Sequence, residues 1–398
     1  MAADPHMDAL KNRVRAYTEG ILIMVSPVLV AITLKKVNLK GEGNEPVRRS
    51  ISPLAAASLL MSLIAFVFIN TASMLKDHFP ERVPEFPEPV FRLSKLLVHA
   101  TAILQMVLAY MIVLLLTMRF IAFVVPLLGF VGVLLFLLIK SSVARDGGLE
   151  QERAAYGGCE EKLEQSLDLS AAVTSLLFLA LEGLALEGSQ VSVGHGLDGR
   201  LLPPLGLTFA VCLVSMAGML LGVVPPPMIR EGQRRHGGVT KCFNAMCLGL
   251  TVLFTFVVLT FIPVVHYEVA VLMVALPWII IGLVYVLYLC DEGGSQEAVA
   301  AQPASLELTK ATFVGFLAVS IPSITGGGSL DIYKHATILS TAAAVVSGLV
   351  WRLLTHYAPK KAAVRAANVA SLVTYLFAVA AVILFAILAA QALETDDA

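Results

Sequence analysis

The sequence predicts an all-α fold, a polytopic transmembrane helical bundle, and three observations carry that reading. Hydrophobic residues make up 58% of the chain and charged residues 14%, where soluble domains sit near about 45–50% and about 25%. From Lys95 to Lys140 the chain runs with a single formal charge, Arg119. One unbroken helix of that length would reach roughly 66 Å at about 1.5 Å per residue, against a hydrocarbon core of roughly 30 Å, so it must fold back as two spans hinged near Arg119. Similar stretches recur along the whole chain. They are too long and too uniformly apolar for barrel strands, and only helices or closed barrels satisfy their backbone groups in lipid.

Eleven apolar windows follow in order: Tyr17 to Leu34, Ile51 to Leu75, Leu96 to Met118, Phe120 to Ile139, Leu169 to Leu186, Leu201 to Val224, Cys242 to Val265, Val269 to Cys290, Ala311 to Thr325, Ala336 to Leu354 and Ala366 to Leu393. The first is short and follows Lys11, Arg13 and Arg15, a pattern shared with secretory signal peptides. Ala31-Ile32-Thr33 is not a small-x-small cleavage site and Lys35-Lys36 follow at once, so an uncleaved first helix beginning near Tyr17 is expected. The ninth window is also weak, being short and carrying Pro322. The longest connector, Lys140 to Asp168, is charged and is expected to hold a short surface helix through Glu160, Glu161, Lys162 and Glu164. A folded soluble domain needs about 50 residues or more, so residues 1–398 read as one integral membrane domain.

The net charge of −1 offers no basic field to nucleic acid. The sorting of charges between connectors does carry information. With eleven spans and a cytosolic N-terminus, 20 of the 28 basic residues fall on the cytosolic side. The exception is one outer loop holding Lys35, Lys36, Lys40, Arg48 and Arg49. That topology puts the C-terminus on the opposite face. The five cysteines show no metal or disulfide spacing, and the sequence contains no HExxH or GxSxG. No cofactor or metal is implied, and an enzyme ranks behind the other readings.

Three places could carry function. Glu182 is the only carboxylate well inside a window, where an ionisable group costs roughly 2.5–3.5 kcal/mol or more unless it faces protein or water. It shares a helix face with Ser175, seven residues earlier, and the pair forms a candidate intramembrane ion or proton site. The competing reading slides this helix outward, placing Glu182 and Glu187 at the interface. The second place is a candidate helix break at Pro322, Gly326, Gly327, Gly328 and Asp331, of the kind transporters use to expose backbone dipoles. Its alternative is an ordinary short helix followed by a loop. The third is the basic cluster Arg230, Arg234, Arg235 and Lys241, able to rest on anionic lipid heads, although the ordinary positive-inside bias already explains it. Gly218-x-x-x-Gly222 and the ridge Ser340, Ala344, Gly348 let helices approach closely, and packing within one bundle is expected of both.

The leading expectation is therefore passage of a small solute or ion. The alternative is a non-transporting membrane protein that binds lipid or partner helices. The lipid bilayer is the partner both readings require, and the sequence does not specify an oligomeric state.

Overall fold

The computed structural model describes residues 5–33, 45–78, 88–116, 121, 123–143, 159–188, 198–224, 236–263, 267–289, 306–325, 331–356 and 361–396. Eleven helices account for nearly all of them, and every apolar window falls on one. They are α1 (Pro5–Thr33), α2 (Glu45–His78), α3 (Glu88–Leu116), α4 (Val124–Val143), α5 (Glu160–Gly188), α6 (Asp198–Val223), α7 (His236–Thr260), α8 (Tyr267–Leu289), α9 (Leu306–Thr325), α10 (Ile332–His356) and α11 (Lys361–Asp396). There is no strand among the described residues.

Nine of these helices are long and apolar enough to cross a membrane, and the chain is a multi-pass membrane protein. The weak ninth window belongs to this set, as Glu307–Ile324. Two helices fall short among the described residues. In α1, Lys11, Arg13, Arg15 and Glu19 interrupt the first half, and the apolar part described in α4 is only Val124–Phe136.

Local chemistry sets where the helices start. Pro5 opens α1, a position where the missing N–H costs nothing and the fixed φ suits a helix. The Cys159 carbonyl accepts the Leu163 amide at 3.0 Å, and Glu160 and Glu161 place negative charge in the first turn of α5. Two expectations are corrected here. First, α1 begins twelve residues before Tyr17, because nothing in Met7 to Ala16 breaks a helix. Second, Glu160 to Glu164 do not form a separate surface helix. No Gly or Pro lies between Glu164 and Leu169, so the turn propagates straight into α5, with Leu163 and Leu167 buried and Glu161 and Glu164 exposed.

The chain divides into two compact units, Met1–Ser192 with Phe209–Cys247, and Val193–Thr208 with Leu248–Ala398. In the first, α1 packs on α2 and α5, and α3 packs on α2, α4 and α5. Small residues allow the closest approaches. A Cβ added to Gly222 would sit 2.9 Å from Leu167 Cβ and 3.1 Å from its Cα, so α6 runs against the backbone of α5. A Cβ on Gly20 would meet Met219 Cε at 2.8 Å and Ala171 Cβ at 3.4 Å. Arg13, read from sequence as a cytosolic flank, is 1% exposed, and its Nη1 donates to the Gly222 carbonyl at 3.4 Å. A cation at the last turn of α6 satisfies a terminal carbonyl and complements the helix dipole. Phe209 completes this core beside Tyr110 and Phe123.

In the second unit α10 is central and packs against α8, α9 and α11, with every residue from Thr337 to Leu354 buried. Its small-residue ridge works as packing inside one bundle: a Cβ on Gly348 would lie 3.0 Å from Thr309 Oγ1 and 3.6 Å from Thr374 Cγ2. Thr374 also donates to the Ser347 hydroxyl at 3.1 Å. Phe254, Phe313, Phe316 and Phe261 form a continuous aromatic row in this unit.

Candidate functional site

The polar side chains of the first unit collect inside it. On α5, Ser166, Ser170 and Thr174 recur every four residues and so line one face. All three are buried, as is Ser175. Thr174 Oγ1 lies 2.6 Å from the Ser170 carbonyl and 2.9 Å from the Ser215 hydroxyl of α6. Thr18 of α1 lies 2.9 Å from its own Val14 carbonyl and 3.2 Å from the Ser62 carbonyl of α2. Tyr17 donates to the Val98 carbonyl of α3 at 3.1 Å. Apolar side chains such as Leu60, Val67 and Phe68 of α2 point outward instead. This is the arrangement lipid favours, because a hydroxyl on the outer surface would find no partner beyond its own helix.

Of the buried polar atoms of this interior that have no hydrogen-bond partner among the described residues, those of two long side chains stand out. One is Glu182, whose Oε1 is buried without a hydrogen-bond partner. The other is Gln105 of α3, completely buried, with neither Oε1 nor Nε2 partnered. An unsatisfied buried polar group costs roughly 1–3 kcal/mol, so both positions are unfavourable unless a partner is supplied. The Ser170 hydroxyl is also without a partner.

Of the residues singled out from sequence, Glu182 and Ser175 share α5 but do not meet. The Ser175 hydroxyl donates to its own Ala172 carbonyl at 2.8 Å, and seven residues separate the two side chains by about 10 Å along the axis. Pro322 does not break its helix: α9 continues to Thr325, with Pro322 exposed in its last turns. Proline removes only the bond to the Ala318 carbonyl, and membrane helices tolerate this when nearby groups compensate. Next to it the Ser323 hydroxyl caps the Val319 carbonyl at 2.6 Å. Gly326, Gly327 and Gly328 lie outside the described residues. Asp331 is exposed at the N-cap of α10, a favoured residue there, and its carbonyl accepts the His335 amide at 3.0 Å. Of the basic cluster, Lys241 is exposed on α7, and Arg230, Arg234 and Arg235 lie outside the described residues. His99 is buried with Nδ1 2.7 Å from the Lys95 carbonyl, a locally satisfied histidine. No group of three His, Cys, Asp or Glu is arranged to hold a metal ion among the described residues.

No protein-family model matches the chain, and no curated protein or solved structure shows significant similarity to it. The site therefore has to be read from its own chemistry.

Sequence reasoning missed Gln105 and Arg13. Gln105 was detectable as the only side-chain amide between Leu96 and Met118, close to the centre of that window. Arg13 carried no signal separating it from Lys11 and Arg15, since its burial arises from contact with a helix two hundred residues away.

Proposed function

We propose that the first unit passes a small solute or ion across the membrane, with Glu182 as the group that takes up and releases a proton or cation. The observation that carries this reading is the buried, unpartnered Oε1 of Glu182 on a helix lined with buried hydroxyls. Intramembrane carboxylates are expensive and are retained where they face protein or a polar path. Arg13 lies level with Leu167, near the opposite end of α5. From Leu167 to Glu182 is about 22 Å at about 1.5 Å per residue, most of a hydrocarbon core. Ser170, Thr174, Ser175 and Ser215 occupy the half of that interval nearer Leu167, and Leu176 to Leu181 separate them from Glu182 by about 10 Å. A cytosolic N-terminus puts Arg13 at the inner end of this file and Glu182 toward the outer end. The basic cluster around Lys241 would then lie at the cytosolic headgroups.

The test uses purified protein in liposomes. Proton-driven or cation-driven flux is compared between the wild type and Glu182→Gln, which keeps shape and most hydrogen bonding while removing titration. The expected result is loss of the coupled, pH-dependent component in the variant. Equal, pH-independent flux in both proteins would remove Glu182 from the mechanism, and so would a structure in lipid placing its carboxylate among the headgroups.

A further inference from the structure

The register of the helices in the first unit places Gln105 within the hydroxyl-lined part of the interior. The hydrogen bond from Tyr17 to the Val98 carbonyl sets α1 against α3. Gly20 beside Ala171 and Met219 sets α1 against α5 and α6. The connectors from α1 to α2 and from α2 to α3 are too short to return across these long helices, so α1 and α3 run in the same direction. Gln105 lies seven residues beyond Val98, about 10 Å further along α3. The corresponding depth on α5 is Ser170 to Ser175, and on α6 it is Ser215 to Met219.

Among the described residues, the buried side chains at that depth offer hydrogen bonds but no charge. Arg13 and Glu182 lie toward the two ends, and Glu19 is exposed and paired with Arg15 at 2.8 Å. An ion brought here would be desolvated with no counter-charge. A small neutral molecule would find an amide that both donates and accepts, together with the free Ser170 hydroxyl.

We infer that Gln105 is the recognition group of a mid-membrane site for a small neutral solute bearing both hydrogen-bond donors and acceptors, of the amide or polyol kind. This rests on the transport reading and deepens it: Glu182 would supply the coupling ion and Gln105 would select the cargo. The amide is unfavourable when unpaired and contributes only when a ligand supplies its partners, which is how a buried polar site gains selectivity against apolar molecules.

The test puts a reporter thiol one turn from Gln105, by Ala109→Cys, in the full-length protein in liposomes. Ala109 is fully buried and on the same helix face. Modification at position 109 by neutral methyl methanethiosulfonate and by its anionic sulfonatoethyl analogue is followed by mass spectrometry, with exposed Cys242 as the internal control. The expected result is reaction with the neutral reagent and not the anionic one, slowed by acetamide, urea or glycerol. Adding Gln105→Met should weaken that protection roughly tenfold, since two hydrogen-bonding groups are lost at constant length. Gln105→Asn should weaken it less, and Cys242 should be unaffected in both.

The inference is overturned if position 109 reacts only after unfolding in detergent, if both reagents react equally, or if none of the three solutes protects, as when water alone fills the site. None of these readouts passes through Glu182. Protection without coupled flux would sink the proton or cation role and leave this site standing, whereas Glu182-dependent flux without protection would do the reverse.

Discussion

Helices α5 and α11 look alike in a hydropathy count and have opposite surroundings. On α5 most of Glu160–Ala185 is buried, and its interior face carries Ser166, Ser170, Thr174 and Ser175. On α11 most of Ala362–Gln391 is exposed or only half-buried, and Leu372, Leu376, Val379, Val382 and Ile383 point outward. The two most buried spans, on α5 and α10, are among the less hydrophobic, and the two least buried, on α8 and α11, are the most hydrophobic. In water the rule runs the other way. Lipid is as apolar as leucine, so burial in a membrane bundle selects for small and polar side chains that pack and hydrogen-bond, while leucine is spent on the outside.

Three substitutions sharpen that contrast, in descending order of effect. Gly222→Leu drives a branched side chain into the backbone of α5 at Leu167. The expected cost is about 3 kcal/mol, seen as loss of monodisperse protein or a clear drop in thermal midpoint in detergent. An unchanged midpoint would mean that α5 and α6 are not held at this distance. Thr174→Val keeps the shape of the side chain and removes the bond to Ser215, whose hydroxyl still has the Cys212 carbonyl at 3.1 Å. A loss of about 0.6 kcal/mol is expected by reversible unfolding in mixed micelles. Leu376→Ala, on the outer face of α11, should change stability by no more than about 0.5 kcal/mol. A loss matching that of a core leucine would show that a protein rather than lipid covers this face.

The same contrast explains what was legible in the sequence. The eleven helices could be read because charged residues bound each apolar window, and lipid leaves little freedom in what such a window can become. Glu182 stood out because a formal charge inside a window is rare. Gln105 did not, although it is buried more completely, because a neutral amide barely disturbs the hydropathy of twenty leucine-rich neighbours. Of the expected break, only its start is described: α9 continues past Pro322 to Thr325, because a proline near the end of a helix removes one bond and Ser323 covers an adjacent carbonyl. Arg13 was read as a flank because sequence order says nothing about which distant helix end needs a donor.

Arg13 also bears on the timing of assembly. Its acceptor, the Gly222 carbonyl, follows it by 209 residues. At about 5–20 residues per second, synthesis takes roughly 10–40 s to produce that acceptor. Tyr17 and Thr18 find Val98 and Ser62 much sooner. The middle of α1 can therefore settle while its beginning waits, and the first unit locks only when the end of α6 arrives.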